Sequence, residues 1–125
     1  MEKRRAQHRD QLRGPQPLYR AKAEFFKTLG HPARIRILEL LTVRDRSVAE
    51  LLPEVGLETS NLSQQLAVLR RAGVVTAHRD GNTVIYSIAS PDIAELLMVA
   101  RKVLTGVLRD QVAVLEDLHV GGLAE

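Results

Sequence analysis

Ser60, Asn61, Ser63, Gln64 and Gln65 place five short hydroxyl and amide side chains within six consecutive positions. Each of these groups can both donate and accept hydrogen bonds. That is the equipment needed to read base edges in a DNA major groove, where every base pair displays its own pattern of donors and acceptors. A helix beginning at this point, with Thr59 or Ser60 as its cap, would add backbone N–H groups that favour phosphate. Arg70 and Arg71 follow at the end of the same segment, and Arg79 and Asn82 flank a turn. From there they can reach a neighbouring groove or the sugar-phosphate backbone. Each feature also has a plain structural reading: a solvated helix face, a cation at a helix C-terminus, a turn residue. The surrounding elements have to decide.

Other chemistries find little support. The chain has no cysteine, which excludes disulfides, thiolate metal sites and thiol-based redox sensing. Its four histidines, His8, His31, His78 and His119, are far apart and fall in different elements, whereas zinc, nickel or cobalt requires converging nitrogen or sulfur ligands. There is no Gly-x-Ser-x-Gly, no phosphate-cradling glycine loop and no His/carboxylate cluster at ligand spacing, so neither an enzyme nor a bound cofactor is expected. His31, directly before Pro32, reads as a structural cap, and His78 reads as a strand-end residue facing phosphate or water.

The 125 residues fit one domain, and an aromatic content of 3% against 45% hydrophobic residues means a core of Leu, Ile, Val and Ala. No apolar run approaches the roughly 18 residues of a membrane span, so a cytoplasmic protein without membrane contact is expected. The net charge of +3 is unevenly placed: residues 1–36 carry ten Lys and Arg against three Asp and Glu. Residues 1–17, with Lys3, Arg4, Arg5, Arg9 and Arg13 and ending in Gly14-Pro15-Gln16-Pro17, read as a flexible basic N-terminal arm. Both a polyanion contact and a solvated tail suit it.

The elements that must position the polar segment follow from periodicity. Leu18, Ala21, Phe25 and Leu29 mark a first helix with one buried stripe, stopped by Gly30. Pro32 opens a second, mostly buried helix through about Thr42, with Ile35, Ile37, Leu38, Leu40 and Leu41 on a broad apolar face. Ser47-Val48-Ala49-Glu50 is a capping box that starts a short third helix reaching about Glu54. Val55-Gly56-Leu57 breaks it. The fourth helix carries Leu62, Leu66 and Leu69 on one face and is closed by Gly73. Two β-prone runs, Val74–His78 and Thr83–Ile88, flank Arg79-Asp80-Gly81-Asn82, a hairpin signal. Ser90-Pro91 caps a last helix whose stripe runs through Ile93, Leu96, Leu97, Ala100, Val103, Leu104, Val107, Leu108, Leu115 and Leu118. Gly106 interrupts its composition, marking either a close helix approach or a kink.

Two short helices joined by a glycine-containing turn, the second with small polar residues outward, match the helix-turn-helix unit. The predicted fold is therefore mainly α with a small β-hairpin, in the order four helices, hairpin, fifth helix: a winged helix-turn-helix. Residues 18–120 form the DNA-binding and dimerisation domain. The final stripe exceeds what one small core needs to cover, which predicts a homodimer. Its expected contacts are Leu18, Phe25, Ile93, Leu97, Ala100, Leu104, Val107, Leu108 and Leu115.

Three blocks carry a specific resemblance: Phe26 through Leu38 (FKTLGHPARIRIL), Leu62 through Val75 (LSQQLAVLRRAGVV) and Arg79 through Ile88 (RDGNTVIYSI). In this order they resemble the ArsR/SmtB winged-helix repressors over roughly residues 18–118. The resemblance implies a homodimer whose first and last helices pack across a two-fold axis, with paired recognition helices on an imperfect palindrome of double-stranded DNA. The family's metal-sensing positions differ here. Where cysteines start the third helix in metal sensors, this chain has Ser47-Val48-Ala49-Glu50-Leu51. Where an Asp-x-His and a His-x-x-His/Glu stand on the last helix, it has Ser90-Pro91-Asp92 and Val103-Leu104-Thr105-Gly106. A small-molecule or protein effector remains open, as do two alternatives to the sequence-specific repressor: a winged-helix protein–protein interaction module, and a metal-responsive sensor with a non-standard site.

Overall fold

The structure, a computed structural model, describes residues 16–124. His8 and the arginines of the basic arm lie outside them. Helix α1 (Leu18–Leu29) ends at Gly30. Helix α2 (Pro32–Val43) begins with proline at its first position, and the His31 ring Nδ1 accepts a hydrogen bond from the Ala33 N–H at 3.1 Å, the cap role expected of it. A two-residue strand β1 (Arg46–Ser47) precedes α3 (Val48–Val55), and α4 (Thr59–Arg71) follows. Strands β2 (Val75–Asp80) and β3 (Thr83–Ile88) then lead into α5 (Pro91–Ala124), which is 34 residues long. Helix α5 runs through Gly106 unbroken, and its start is capped by Ser90 Oγ accepting from Asp92 N–H at 3.2 Å.

The sheet has three strands in the order β1-β3-β2, one more than the expected hairpin. Arg46 pairs with Tyr86 and Ser47 with Ile85. A two-residue strand is too short to show a period, so only its partner reveals it. The hairpin is also tighter than expected: pairing continues to Asp80↔Thr83, leaving Gly81 and Asn82 as a two-residue loop. Gly81 has φ +64 and no non-glycine residue among those described has positive φ. Positive φ at the first central position only is the signature of a type II′ turn, which matches strand twist. The turn is thus built on Gly-Asn, not on Asp-Gly.

Helix α2 is the hub, packing against α3, α4, α5 and β3. Ile37, Leu38, Leu51, Leu62, Leu66 and Leu69 are wholly inaccessible, with Val74 and Val75 beside them. Helix α1 is covered unevenly: of its apolar stripe Leu29 is buried and Phe25 half-buried, while Leu18, expected at the dimer contact, is 68% exposed. It touches the core by its last turns alone.

The capping box at the start of α3 forms as predicted. Ser47 Oγ accepts from Glu50 N–H and Glu50 Oε1 accepts from Ser47 N–H, both at 3.2 Å. The Arg44 guanidinium hydrogen-bonds the Glu50 carboxylate, and with the Ser47 backbone N–H it holds that carboxyl below its usual value of 4.5. A depressed carboxyl contributes stability above its unfolded-state value and loses it as pH falls through the folded-state value. The stability difference between the wild type and Glu50→Ala, measured by urea unfolding, is therefore expected at neutral pH and should shrink in acid. Ser47→Ala should cost about 1 kcal/mol, and Leu66→Ala, which opens a core cavity, about 2–5 kcal/mol.

Candidate nucleic-acid interface

Helix α3 stops at Gly56, whose φ of 75° and ψ of 24° place it in the left-handed region. Leu57 and Glu58 carry the chain into α4. Contrary to expectation, neither Thr59 nor Ser60 caps that helix. Glu58 occupies the cap position in extended conformation and makes no side-chain cap bond. The first N–H groups of α4 are thus not engaged by a capping side chain, and they carry the positive end of the helix dipole.

The rotation of α4 is set by Leu62, Leu66 and Leu69, all at 0% exposure. With that row inward, helical geometry turns Ser60, Asn61, Ser63 and Gln64 to solvent, and all four are exposed. Arg70 and Arg71 are exposed in the last turn. Ser63, Leu66, Ala67, Arg70, Arg71 and Tyr86 line one depression between α4 and the sheet. Tyr86 was not among the expected site residues. Its signal was its place in the β-prone run within the third recognisable block.

Gln65 behaves differently from its neighbours, being half-buried. Arg34 Nε donates to Gln65 Oε1 at 2.8 Å, and Gln65 Nε2 donates to Asn61 Oδ1 at 3.1 Å. The side chain expected to face bases is turned toward α2 and ties it to α4. Arg34 also donates through Nη1 to the Thr28 carbonyl at 3.1 Å. Its role was missed, although a cue existed: Arg34 stands three, four and seven positions before Ile37, Leu38 and Leu41, on the buried stripe of α2. A cation at such a position demands a partner.

At the wing, Arg79 lies opposite Val84 one step from the turn, Asn82 sits in the turn, and both are exposed together with His78. Ser60, Asn61, Ser63, Gln64, Arg70 and Arg71 thus share the solvent side of α4, Gln65 does not, and Arg79 and Asn82 stand on the hairpin that follows that helix in the chain. The expected dimer positions divide. Ile93 is buried in the chain's own core, and Phe25 and Leu97 are packed against it. Ala100, Leu104, Val107, Leu108 and Leu115 are exposed, as are Leu18, Val103 and Leu118. Among the described residues no helix is long and apolar enough to cross a membrane, and no three His, Cys, Asp or Glu side chains gather as metal ligands would.

Comparison with known proteins agrees with this geometry. Residues 31–77 match the family described as bacterial regulatory protein, arsR family. The chain is 77% identical over 110 residues to the uncharacterized HTH-type transcriptional regulator Rv0081 of Mycobacterium tuberculosis, covering 87% of this chain and 96% of that one. The crystal structure of Rv0081 superposes with a TM-score of 0.74, over 78% of this chain and 99% of the other. The transcriptional repressor BigR from Xylella fastidiosa is 33% identical with a TM-score of 0.61, over 65% of this chain and 83% of its own. A homodimeric winged helix-turn-helix DNA-binding domain, Mb0332 from Mycobacterium bovis, is 29% identical with a TM-score of 0.65, over 74% and 90%. With a matched family signature, a relative of 77% identity over nearly its whole length and the winged fold in place, this chain belongs to the arsR family of bacterial transcriptional regulators.

Proposed function

We propose that the chain acts in the cytoplasm as a homodimeric repressor, seating two copies of α4 in successive major grooves of an imperfect palindrome. The observation that carries this reading is the division of α4 into a leucine row at 0% exposure and an opposite face of exposed Ser60, Asn61, Ser63 and Gln64. These short side chains read base edges. Arg70, Arg71 and Arg79 contact phosphates, with Asn82 at the wing tip beside the adjacent backbone. No catalytic step is involved. Half-sites one helical turn apart, about 34–36 Å, are what a two-fold dimer requires.

The second copy is supported by apolar surface that the chain leaves open. Leu104 at 57%, Leu108 at 51% and Leu115 at 65% exposure stand on a helix that continues well beyond its own core. Leu18 on α1, at 68%, adds to it. An exposed row of large apolar side chains of this kind marks an interface. The homodimeric state of the Mycobacterium bovis domain Mb0332 and the repressor role of BigR support the same reading.

Binding to a DNA fragment from upstream of the chain's own gene, followed by fluorescence anisotropy, is expected to weaken steeply with salt because phosphate contacts release counterions. Retention that is absent at low ionic strength would indicate a protein-binding module instead. Ser63→Ala with Gln64→Ala should lower discrimination between specific and random duplex, whereas Arg79→Ala should weaken both alike and reduce the salt slope by about 1. Leu104→Glu with Leu108→Glu should give a folded monomer in sedimentation that has lost high-affinity binding to the palindrome. A wild type that sediments as a stable lone subunit would refute the dimer.

A further inference from the structure

We propose that Arg34 is a positioning residue that sets the hydrogen-bond polarity of Asn61, and through it the base preferred at one operator position. The proposal rests on the reading of α4 as the helix that enters the groove. Its basis is a directional chain of three hydrogen bonds. Arg34 Nη1 donates to the Thr28 carbonyl in the last turn of α1, and Nε donates to Gln65 Oε1 on α4. Gln65 Nε2 then donates to Asn61 Oδ1.

The direction is dictated by chemistry. A guanidinium has donors only, so the Gln65 atom facing it must be the amide oxygen. The other end of that amide, facing Asn61, is then the NH2 group, and a donor can be met only by Asn61 Oδ1. Asn61 is exposed, and with its oxygen held along the helix it offers its own NH2 outward. Neither Asn61 nor Gln65 alone would fix this. A free carboxamide flips readily, whereas one pinned by a half-buried cation does not.

The consequence is a predicted preference. Asparagine recognises adenine by using oxygen and nitrogen together, accepting from N6 and donating to N7. An asparagine whose oxygen is turned along the helix to Gln65 has one of its two lone pairs engaged and cannot present oxygen and nitrogen side by side to one base edge. It is left as a donor, suited to acceptor edges: O6 and N7 of guanine, or O4 of thymine. Because Arg34 also grips the end of α1, the polarity of the reading face depends on α1 keeping its place against α2.

The test is selection of bound duplexes from a random DNA pool by the full chain, comparing the wild type with Asn61→Ala, Gln65→Met and Arg34→Met. Asn61→Ala identifies the position that Asn61 reads, where the wild type should favour guanine or thymine by about tenfold. Gln65→Met keeps the side chain's bulk but breaks the relay. It is expected to flatten that preference to within about threefold or shift it toward adenine, leaving the other positions unchanged while the thermal midpoint falls only modestly, because Arg34 keeps its bond to the Thr28 carbonyl. Arg34→Met should reproduce this profile. Should it fail to fold, Gln65→Met, on the outer helix, decides alone. A Gln65→Met profile equal to wild type, or one weakened uniformly at all positions, overturns the proposal, as does an Asn61→Ala profile with no altered position. A wild type that enriches no sequence at all refutes the reading of α4 itself, and it does so before any variant is examined.

Discussion

Everything the molecule presents to DNA depends on the angle at which α4 is rotated about its own axis, and that angle is held by burial of Leu62, Leu66 and Leu69 against the other helices. A helix is a rigid cylinder with about 100° between successive residues, so fixing one row of side chains fixes all the others. Turning it by one residue would bring Ser63 inward and drive leucine into water. The hydrophobic term therefore sets the position of polar groups it never touches. Since the row packs against α2, itself in contact with α3, α5 and β3, the reading face inherits its placement from the whole core.

Apolar packing alone would leave the outer side chains free to choose rotamers. Polar contacts narrow that choice, and they come from outside α4. Arg34 reaches from α2 to Gln65, and Gln65 passes the constraint one turn back to Asn61. The capping box of Ser47 and Glu50 performs a similar task for α3, stopping it from unravelling into the strand before it. Gly56, with positive φ, lets the chain reverse within the few residues that separate α3 from α4. Each of these contacts contributes little alone, yet each removes a freedom that the leucine row cannot remove.

What the sequence made legible was whatever repeats. Leucines at helical spacing predicted α2, α4 and α5, and the serine-glutamate pair predicted the start of α3. Local signals with no period were read less well. The cap of α4 fell to Glu58 instead of the expected Thr59 or Ser60 because helix starts are set by backbone turns as much as by side-chain preference. Strand β1 was invisible because two residues carry no alternation. Gln65 looked like its neighbours, since composition cannot tell an amide that faces solvent from one held by a cation 31 positions earlier. The stripe on α1 was seen as apolar, and its members divide: Leu29 is enclosed by the chain's own core, while Leu18, expected at the dimer contact, stands exposed. Periodicity shows that a face wants cover, and it does not show which molecule provides it.

That last distinction bears on the proposed dimer. Ile93 and Leu97 begin the stripe of α5 inside the chain's own core, and only beyond them does the helix leave its neighbours, with Leu104, Val107, Leu108, Leu115 and Leu118 all exposed. One continuous row thus serves the subunit at its start and meets nothing of its own chain farther along. A lone helix of this composition gains little from its own backbone, because helical stability in proteins comes mostly from packing of an apolar face. Helix α1 presents the same contrast in reverse order: Leu18 is exposed at its start, Phe25 is half-buried and Leu29 is enclosed at its end. The proposed second copy would cover both open ends at once.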